Sequence, residues 1–333
     1  MDPKVKPARE WTSCRNCGSG STVVAQGGYL LPFFQKRVLG LDAASLGETL
    51  ERAGRGSPRL TTRLAYFACR LFRTAPLVRT LFNYRGRAMV PINICMDCGF
   101  VGPHQSFSAE QLSGLYKDYR SDTYNHERCH YEPGYAAIQL RVGKDVEEIR
   151  QRLDNVEALL RAHVDLNALD SVLDWGGGEG RFIPPSLADK RVHVLDISSE
   201  PLADTRYVRL GQPEAGLQYD YIQLCHVLEH VSHPHELLAE VIQHLRPGGL
   251  LYIEVPQDRS DAELALFKTA PERVSHGIHE HLNLYSVSAL AALGKSLGLT
   301  PLAVKSTALK LAWMNATVIS GLFRAPASRP RST

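Results

Sequence analysis

Beyond residue 168 the apolar residues collect into short runs, at Val172-Leu173, Val192 to Leu195, Tyr221 to Leu224 and Leu250 to Val255, parted by polar stretches. Runs of this length read as buried strands. The pattern predicts strands over 171–174, 191–196, 207–210, 221–225 and 250–255, the last entered through the turn Arg246-Pro-Gly-Gly249. Helices are predicted between them, notably over 235–245, and a further one over 286–297. Late strands over 301–306 and 312–319 would close the sheet. Strands alternating with helices imply a mostly parallel, doubly wound α/β sheet.

Upstream the period is helical. Val146, Ile149, Leu153, Val156 and Leu160 recur at the helical interval, so 142–163 reads as an amphipathic helix. Ser108-Ala-Glu-Gln111 is a capping-box pattern that starts another. Four zones follow: 1–110, which holds two Cys-x-x-Cys pairs and an apolar, basic insert at 29–90; a helical connector at 111–167; the α/β core at 168–320; and a flexible tail at 321–333. The insert carries eleven Lys and Arg against three acidic residues. Its second half has near-helical apolar spacing that Pro76 interrupts.

The chain has 333 residues, of which 44% are hydrophobic, enough for a sizeable core. A net charge of +3 demands no nucleic-acid partner. The first residues are polar and lack the apolar core of a leader peptide. No run approaches the ~18 apolar residues of a membrane span. Seven cysteines, an odd number, argue against a disulfide framework and for a reducing, cytoplasmic setting.

The most informative chemistry is Val172-Leu-Asp-Trp-Gly-Gly-Gly-Glu-Gly180, a strand running into glycines at 176, 178 and 180. Glycine allows a sharp turn and close approach to a ligand, and a following helix would add a positive end. The dinucleotide fingerprint G-x-G-x-x-G fails, because residue 181 is Arg. The spacing instead resembles the acid-x-Gly-x-Gly-x-Gly motif of class I S-adenosylmethionine-dependent methyltransferases. That resemblance implies a Rossmann-like core in which Asp174, Trp175, Gly176, Gly178 and Gly180 wrap the methionine part of the cofactor. It also implies that Asp196, ending the second strand 16 residues past Gly180, binds the ribose hydroxyls. A tight turn without a ligand is the plainer reading of the glycines alone.

Leu224-Cys-His-Val-Leu-Glu-His-Val231 follows the fourth strand. His226-Val-Leu-Glu229-His230 fits the H-x-x-E-H pattern of a metallopeptidase, but that needs a long helix. An apolar strand ending at Cys225 and the nearby Pro234 oppose one. The segment also resembles the strand-four element of the same methyltransferases, which implies that His226 lines the cofactor's reactive end. After the fifth strand, His276-Gly-Ile-His-Glu-His281 gathers three histidines and a glutamate in six residues. Glu280 to Ser286 resembles an element of zinc-containing deoxysugar and nucleotide-sugar methyltransferases. Catalytic roles are expected for His281, oriented by Glu280, or for His226. Solvated, capping histidines are the alternative.

Cys14-Arg-Asn-Cys17-Gly and Cys95-Met-Asp-Cys98-Gly are near duplicates, each aiming two sulfurs at one point. Together they suit a structural, tetrahedral Zn2+ site, although 77 residues separate Cys17 from Cys95. A redox Cys-x-x-Cys is the competing reading. A four-cysteine module ahead of a methyltransferase core strengthens the resemblance to the zinc-containing sugar methyltransferases. A counterpart of their large C-terminal domain is not expected within these 333 residues. The acceptor implied is a small molecule, a sugar carried on a nucleotide or in a glycan, methylated at oxygen, nitrogen or carbon. Interleaved arginines and apolar residues over 60–90 also allow peripheral membrane contact. A non-catalytic scaffold that keeps the cofactor fold and the zinc module is the competing class.

Overall fold

The computed structural model describes residues 11–40, 89–119, 121–141, 143–198, 200–214 and 216–328. Residues 41–88, most of the basic insert, lie outside these residues, and with them the helical pieces expected over its second half and most of the expected membrane-facing surface. Among the described residues no helix is long and apolar enough to cross a membrane.

The amino-terminal part builds β1 (Thr22–Ala25), β2 (Gly28–Leu30), α1 (Pro32–Leu39), β3 (Ile92–Cys95) and β4 (Val101–Pro103). Next come α2 (Ala109–Tyr116), α3 (Asp122–Tyr131) and α4 (Val146–His163). The capping box at Ser108 forms as expected, with Gln111 returning a bond to the Ser108 N–H. The core contains β5 (Ser171–Trp175), β6 (Arg191–Leu195), β7 (Val208–Leu210), β8 (Tyr219–Cys225), α5 (Pro234–Gln243) and β9 (Leu245–Pro256). It ends with α6 (Asp261–Thr269), β10 (His276–Ile278), α7 (Val287–Ser296), β11 (Thr300–Lys310) and β12 (Asn315–Arg324).

Among the described residues the main sheet has seven strands in the order β11-β12-β9-β8-β5-β6-β7. β12 runs antiparallel to both of its neighbours, and the pairings from β7 through β9 are parallel. The order reverses between β5 and β8, where open α/β sheets open a crevice at the carboxyl ends of their strands. One face packs Val172, Val192, Val194, Tyr221 and Tyr252 against Val156, Leu159 and Leu160 of α4. The other packs Leu173, Ile222, Leu224, Leu251 and Ile253 against Leu238 and Val241 of α5 and Leu290 and Leu293 of α7. The alternation of adjacent residues between the two faces is the period-two pleat of strands covered on both sides.

Four expectations need correction. α4 does not belong to a connector over 111–167 but lies on the sheet, and its buried face includes Arg152 and Asn155 while Val146 is 80% exposed. Arg152 bonds to Glu254 Oε1 of β9 at 2.6 Å and stacks 3.7 Å above the Phe182 ring, so polar pairing turns the helix away from its purely apolar stripe. No α-helix follows the glycine loop. Pro184-Pro185 supports only a short 3-10 turn at Pro185–Leu187, because proline lacks an N–H and restrains the residue before it. The connection from β6 to β7 likewise has no helix among its described residues. Finally, the strand expected to stop at 319 runs on to Arg324, and Ala325 donates its N–H to Gly249 at 2.8 Å, so 321–325 is sheet and core edge rather than tail.

The amino-terminal part clasps the core. β2 pairs in parallel with β10, and Val101 bridges to Leu284. Phe33, Phe34 and Tyr124 share a cluster with Ile278 and Leu282 from the histidine loop.

Candidate active site

The glycine loop leaves β5 at the strand-order reversal. Gly176, Gly178 and Gly180 all have positive φ, at 73°, 55° and 79°. A Cβ on Gly177 would stand 2.2 Å from Asp174 Oδ2, and one on Gly176 would stand 2.6 Å from Val227. A Cβ on Gly178 would meet nothing within 4 Å, so that glycine borders open space. Asp196 directly follows β6, half-exposed, accepting from the Gly178 N–H at 2.8 Å and the Ser198 N–H at 2.7 Å.

Asp174 is fully buried beneath the loop, facing Gln223, and neither carboxylate oxygen meets a donor at hydrogen-bonding geometry. Burial lifts its pKa to about 7. An unsatisfied buried carboxylate under a backbone cradle suits a ligand that brings an ammonium group and carboxylate oxygens, as the methionine portion of S-adenosylmethionine does. Trp175, at the end of β5, is 8% exposed, with its ring tilted against His244.

His226 follows β8 with φ 57°, a left-handed conformation that costs a non-glycine residue about 1–2 kcal/mol. Its N–H bonds to the Glu254 carbonyl at 2.8 Å. The chain then turns through a 3-10 segment, Leu228–His230, so His226 and His230 share no α-helical face and the metallopeptidase geometry is absent. Glu229 is fully buried, and burial raises its carboxyl to about 8.

The histidine loop is fastened to this turn. Leu282 and Asn283 donate their N–H groups to the Glu229 carbonyl at 2.7 and 3.1 Å, and Asn283 Nδ2 bonds to the Leu228 and Val231 carbonyls at 2.7 Å each. His230 Nδ1 bonds to the Glu280 carbonyl at 2.9 Å. The expected partner of His281 is replaced. Its Nδ1 lies 2.8 Å from Asp258 Oδ2, and although burial opposes the charge, this partner raises the imidazole to about 9. The Glu280 side chain instead pairs with Arg128 of α3 at 3.0 Å. Burial acts against its charge, yet Arg128 and the neighbouring histidines hold it down to about 2. His276 and His279 are pushed down to about 4, chiefly by burial.

Asp258 and Arg128 were missed from the sequence. Asp258 sits two residues past β9, at the same sheet edge as Asp196 and His226, and that position was the available signal. Arg128 had none, since α3 reaches the loop only through the fold.

The cysteine pairs converge. Cys14 Sγ lies 3.9 Å from Cys98 Sγ, Cys17 Sγ lies 3.7 Å from Cys95 Sγ, and all four fall within 4.8 Å of one another. Sulfurs about 2.3 Å from a tetrahedral ion stand about 3.8 Å apart, so the spacing fits zinc. The two knuckles repeat each other: Gly18 and Gly99 both have φ 78° and donate to the Cys14 and Cys95 carbonyls. They dock on α7 through Asn16 Nδ2 to the Ala289 carbonyl at 2.8 Å and Ser288 Oγ to the Cys98 carbonyl at 3.1 Å.

A cavity of about 430 Å³, lined by Asp165, Asp220, Arg246 and Arg324 among others, lies at the amino ends of the strands, away from these groups.

The model of a methyltransferase domain family matches residues 146–304. A ubiquinone biosynthesis O-methyltransferase of Aeromonas salmonicida is 28% identical over 148 residues, covering 38% of this chain and 62% of that protein. An uncharacterized methyltransferase of Mycobacterium avium is 34% identical over 110 residues, covering 28% and 43%. The chain thus spans less than two thirds of the length of either relative. Among solved structures, the Burkholderia thailandensis 1,6-didemethyltoxoflavin-N1-methyltransferase with bound S-adenosylhomocysteine is 20% identical, with 61% of this chain and 90% of that one covered at a TM-score of 0.41. Residues 146–304 are thus similar to a methyltransferase domain, and they carry the strand order and glycine loop of a Rossmann-like α/β fold.

Proposed function

We propose that the protein transfers a methyl group from S-adenosylmethionine to an oxygen, nitrogen or carbon of a small-molecule acceptor, a sugar carried on a nucleotide or in a glycan. The observation that carries the transfer is the three-glycine loop at positive φ with Asp174 beneath it and Asp196 beside it. The resemblance of the cysteine knuckles and of the Glu280–Ser286 element to sugar methyltransferases supports the acceptor class. The four convergent thiols support a structural Zn2+.

When bound, the cofactor supplies an activated sulfonium methyl, and the chain's residues have to align and deprotonate the acceptor. Asp174 would hold the ammonium group and Asp196 the ribose hydroxyls. His226 stands at the end of β8 with its side chain 29% exposed and is the proposed base. His281, fixed by Asp258, presents its Nε2 from the facing loop, and Glu280 positions that loop through Arg128.

The test is mass spectrometry of a sugar-nucleotide panel incubated with protein and cofactor, in which one acceptor should gain 14 Da (~one CH₂). Calorimetry with S-adenosylmethionine separates the readings. Failure to bind would leave the scaffold reading, whereas binding without any methylated sugar would overturn the acceptor class alone.

A further inference from the structure

We propose that Glu229, His230 and His281 form a second metal site, distinct from the four cysteines, which binds one divalent first-row cation on the acceptor side of the crevice. Their ligand atoms lie within 4.8 Å of one another, and His230 Nε2 stands 3.5 Å from Glu229 Oε1. Ligands about 2.1 Å from a cation are about 3.0–3.4 Å apart, so this pair needs almost no movement, and the His281 ligand atom stands within 4.8 Å of both.

Three observations point to a cation here. Glu229 is fully buried, and neither of its carboxylate oxygens makes a hydrogen bond among the described residues, the imidazoles of His226 and His230 each standing 3.5 Å from Oε1. A buried carboxylate left so is costly unless a cation or donor meets it. Both histidines also have their remote nitrogen engaged: His230 Nδ1 with the Glu280 carbonyl at 2.9 Å and His281 Nδ1 with Asp258 Oδ2 at 2.8 Å. Each is thereby oriented with Nε2 forward, the arrangement that outer partners impose on metal-bound histidines. Finally, Asn283 and the Leu282 N–H hold the two segments together, so the three ligands share one rigid frame. The neighbouring set His279, Glu280 and His281 fits less well, because the Glu280 carboxylate is already taken by Arg128.

Two imidazoles and one carboxylate, with open positions, suit Mn2+, Fe2+, Co2+, Ni2+ or Zn2+ and leave room for an acceptor oxygen. A cation there would lower the pKa of a bound hydroxyl beside His226 and so ease its deprotonation. That catalytic role rests on the proposed methyl transfer, while the binding itself does not.

Mn2+, which prefers oxygen and nitrogen to thiolates, is titrated into the zinc-loaded full-length chain, and free Mn2+ is read by electron paramagnetic resonance. One Mn2+ per chain is expected. Glu229→Gln, which keeps the side chain's shape, and His281→Ala should each abolish it, and Asp258→Asn should weaken it about 10–100-fold. Zinc content and S-adenosylmethionine binding should stay unchanged in each variant. No saturable Mn2+ site, or one undiminished in Glu229→Gln, overturns the proposal. Mn2+ binding in a chain that fails to bind S-adenosylmethionine would sink the methyltransferase reading instead.

Discussion

Asp196 Oδ2 accepts the Gly178 N–H at 2.8 Å, so the carboxylate that directly follows β6 also sets the shape of the loop that leaves β5. Asp196→Ala should remove both the loop restraint and the proposed ribose contact. Hydrogen bonds to a charged group contribute about 1.5–3 kcal/mol, which predicts a ~10–100-fold loss of S-adenosylmethionine affinity by calorimetry with little change in Tm. Unchanged affinity would place the cofactor elsewhere.

Gly178 and Gly177 should answer differently to alanine. At Gly177 the new methyl would collide with Asp174, and the fold itself should lose several degrees in Tm. At Gly178 the methyl meets no protein atom, so the stability cost is the positive-φ strain of about 1–2 kcal/mol. Cofactor binding should nonetheless fall steeply, because that open space is where the ligand is proposed to lie. Equal binding losses at matched stability losses would argue against a cradle.

The buried carboxyl of Asp174 implies a pH dependence. Its folded pKa, raised by burial to about 7, lies above the unfolded value near 3.8. Its stability contribution is therefore fully present below pH ~4 and is lost as pH rises through about 7. Asp174→Asn should remove that decline, seen as a smaller Tm drop between pH 5 and pH 8. In the parent chain cofactor affinity should rise across the same window, as the carboxylate forms that is proposed to hold the ammonium. In Asp174→Asn that rise should vanish.

Arg128 ties α3 to the histidine loop through Glu280, with side chains only 8% and 14% exposed. Arg128→Ala would leave a buried carboxylate uncompensated, a change that typically costs about 3–5 kcal/mol. Denaturant unfolding should show it. Arg128→Ala with Glu280→Gln should recover a good part of the loss, and a double variant no better than the single one would mean that the pair does not interact.

The cysteine cluster lies within the same core as Phe100, Tyr285 and Leu290. Cys98→Ser should lower bound zinc from one per chain to none, measured by atomic emission, and should loosen α7 with it. Hydrogen exchange at residues 284–296 would report the loosening. Retained zinc would contradict the four-sulfur site.

His226 closes the set. His226→Asn tolerates the left-handed backbone and removes the imidazole. Turnover should fall about 10²–10⁴-fold with cofactor affinity retained, as expected for loss of a general base.

The period of the apolar residues was enough to determine most strands, α5, α7 and the helix expected over 142–163, which forms over 146–163, because burial on a pleat or a helix writes itself into neighbouring positions. Local chemistry likewise determined the glycine loop, Asp196 at its strand end and the paired knuckles, since each motif is a few residues long. Only the tertiary structure decided what Pro184-Pro185 did to the helix expected after the loop, and that Arg152 would turn α4 to meet Glu254. It alone decided that His281 answers to Asp258 and Glu280 to Arg128, residues 23 and 152 positions away. Contacts of that separation depend on how the sheet and the amino-terminal clasp are assembled, and no local pattern in the chain encodes which distant charge will arrive.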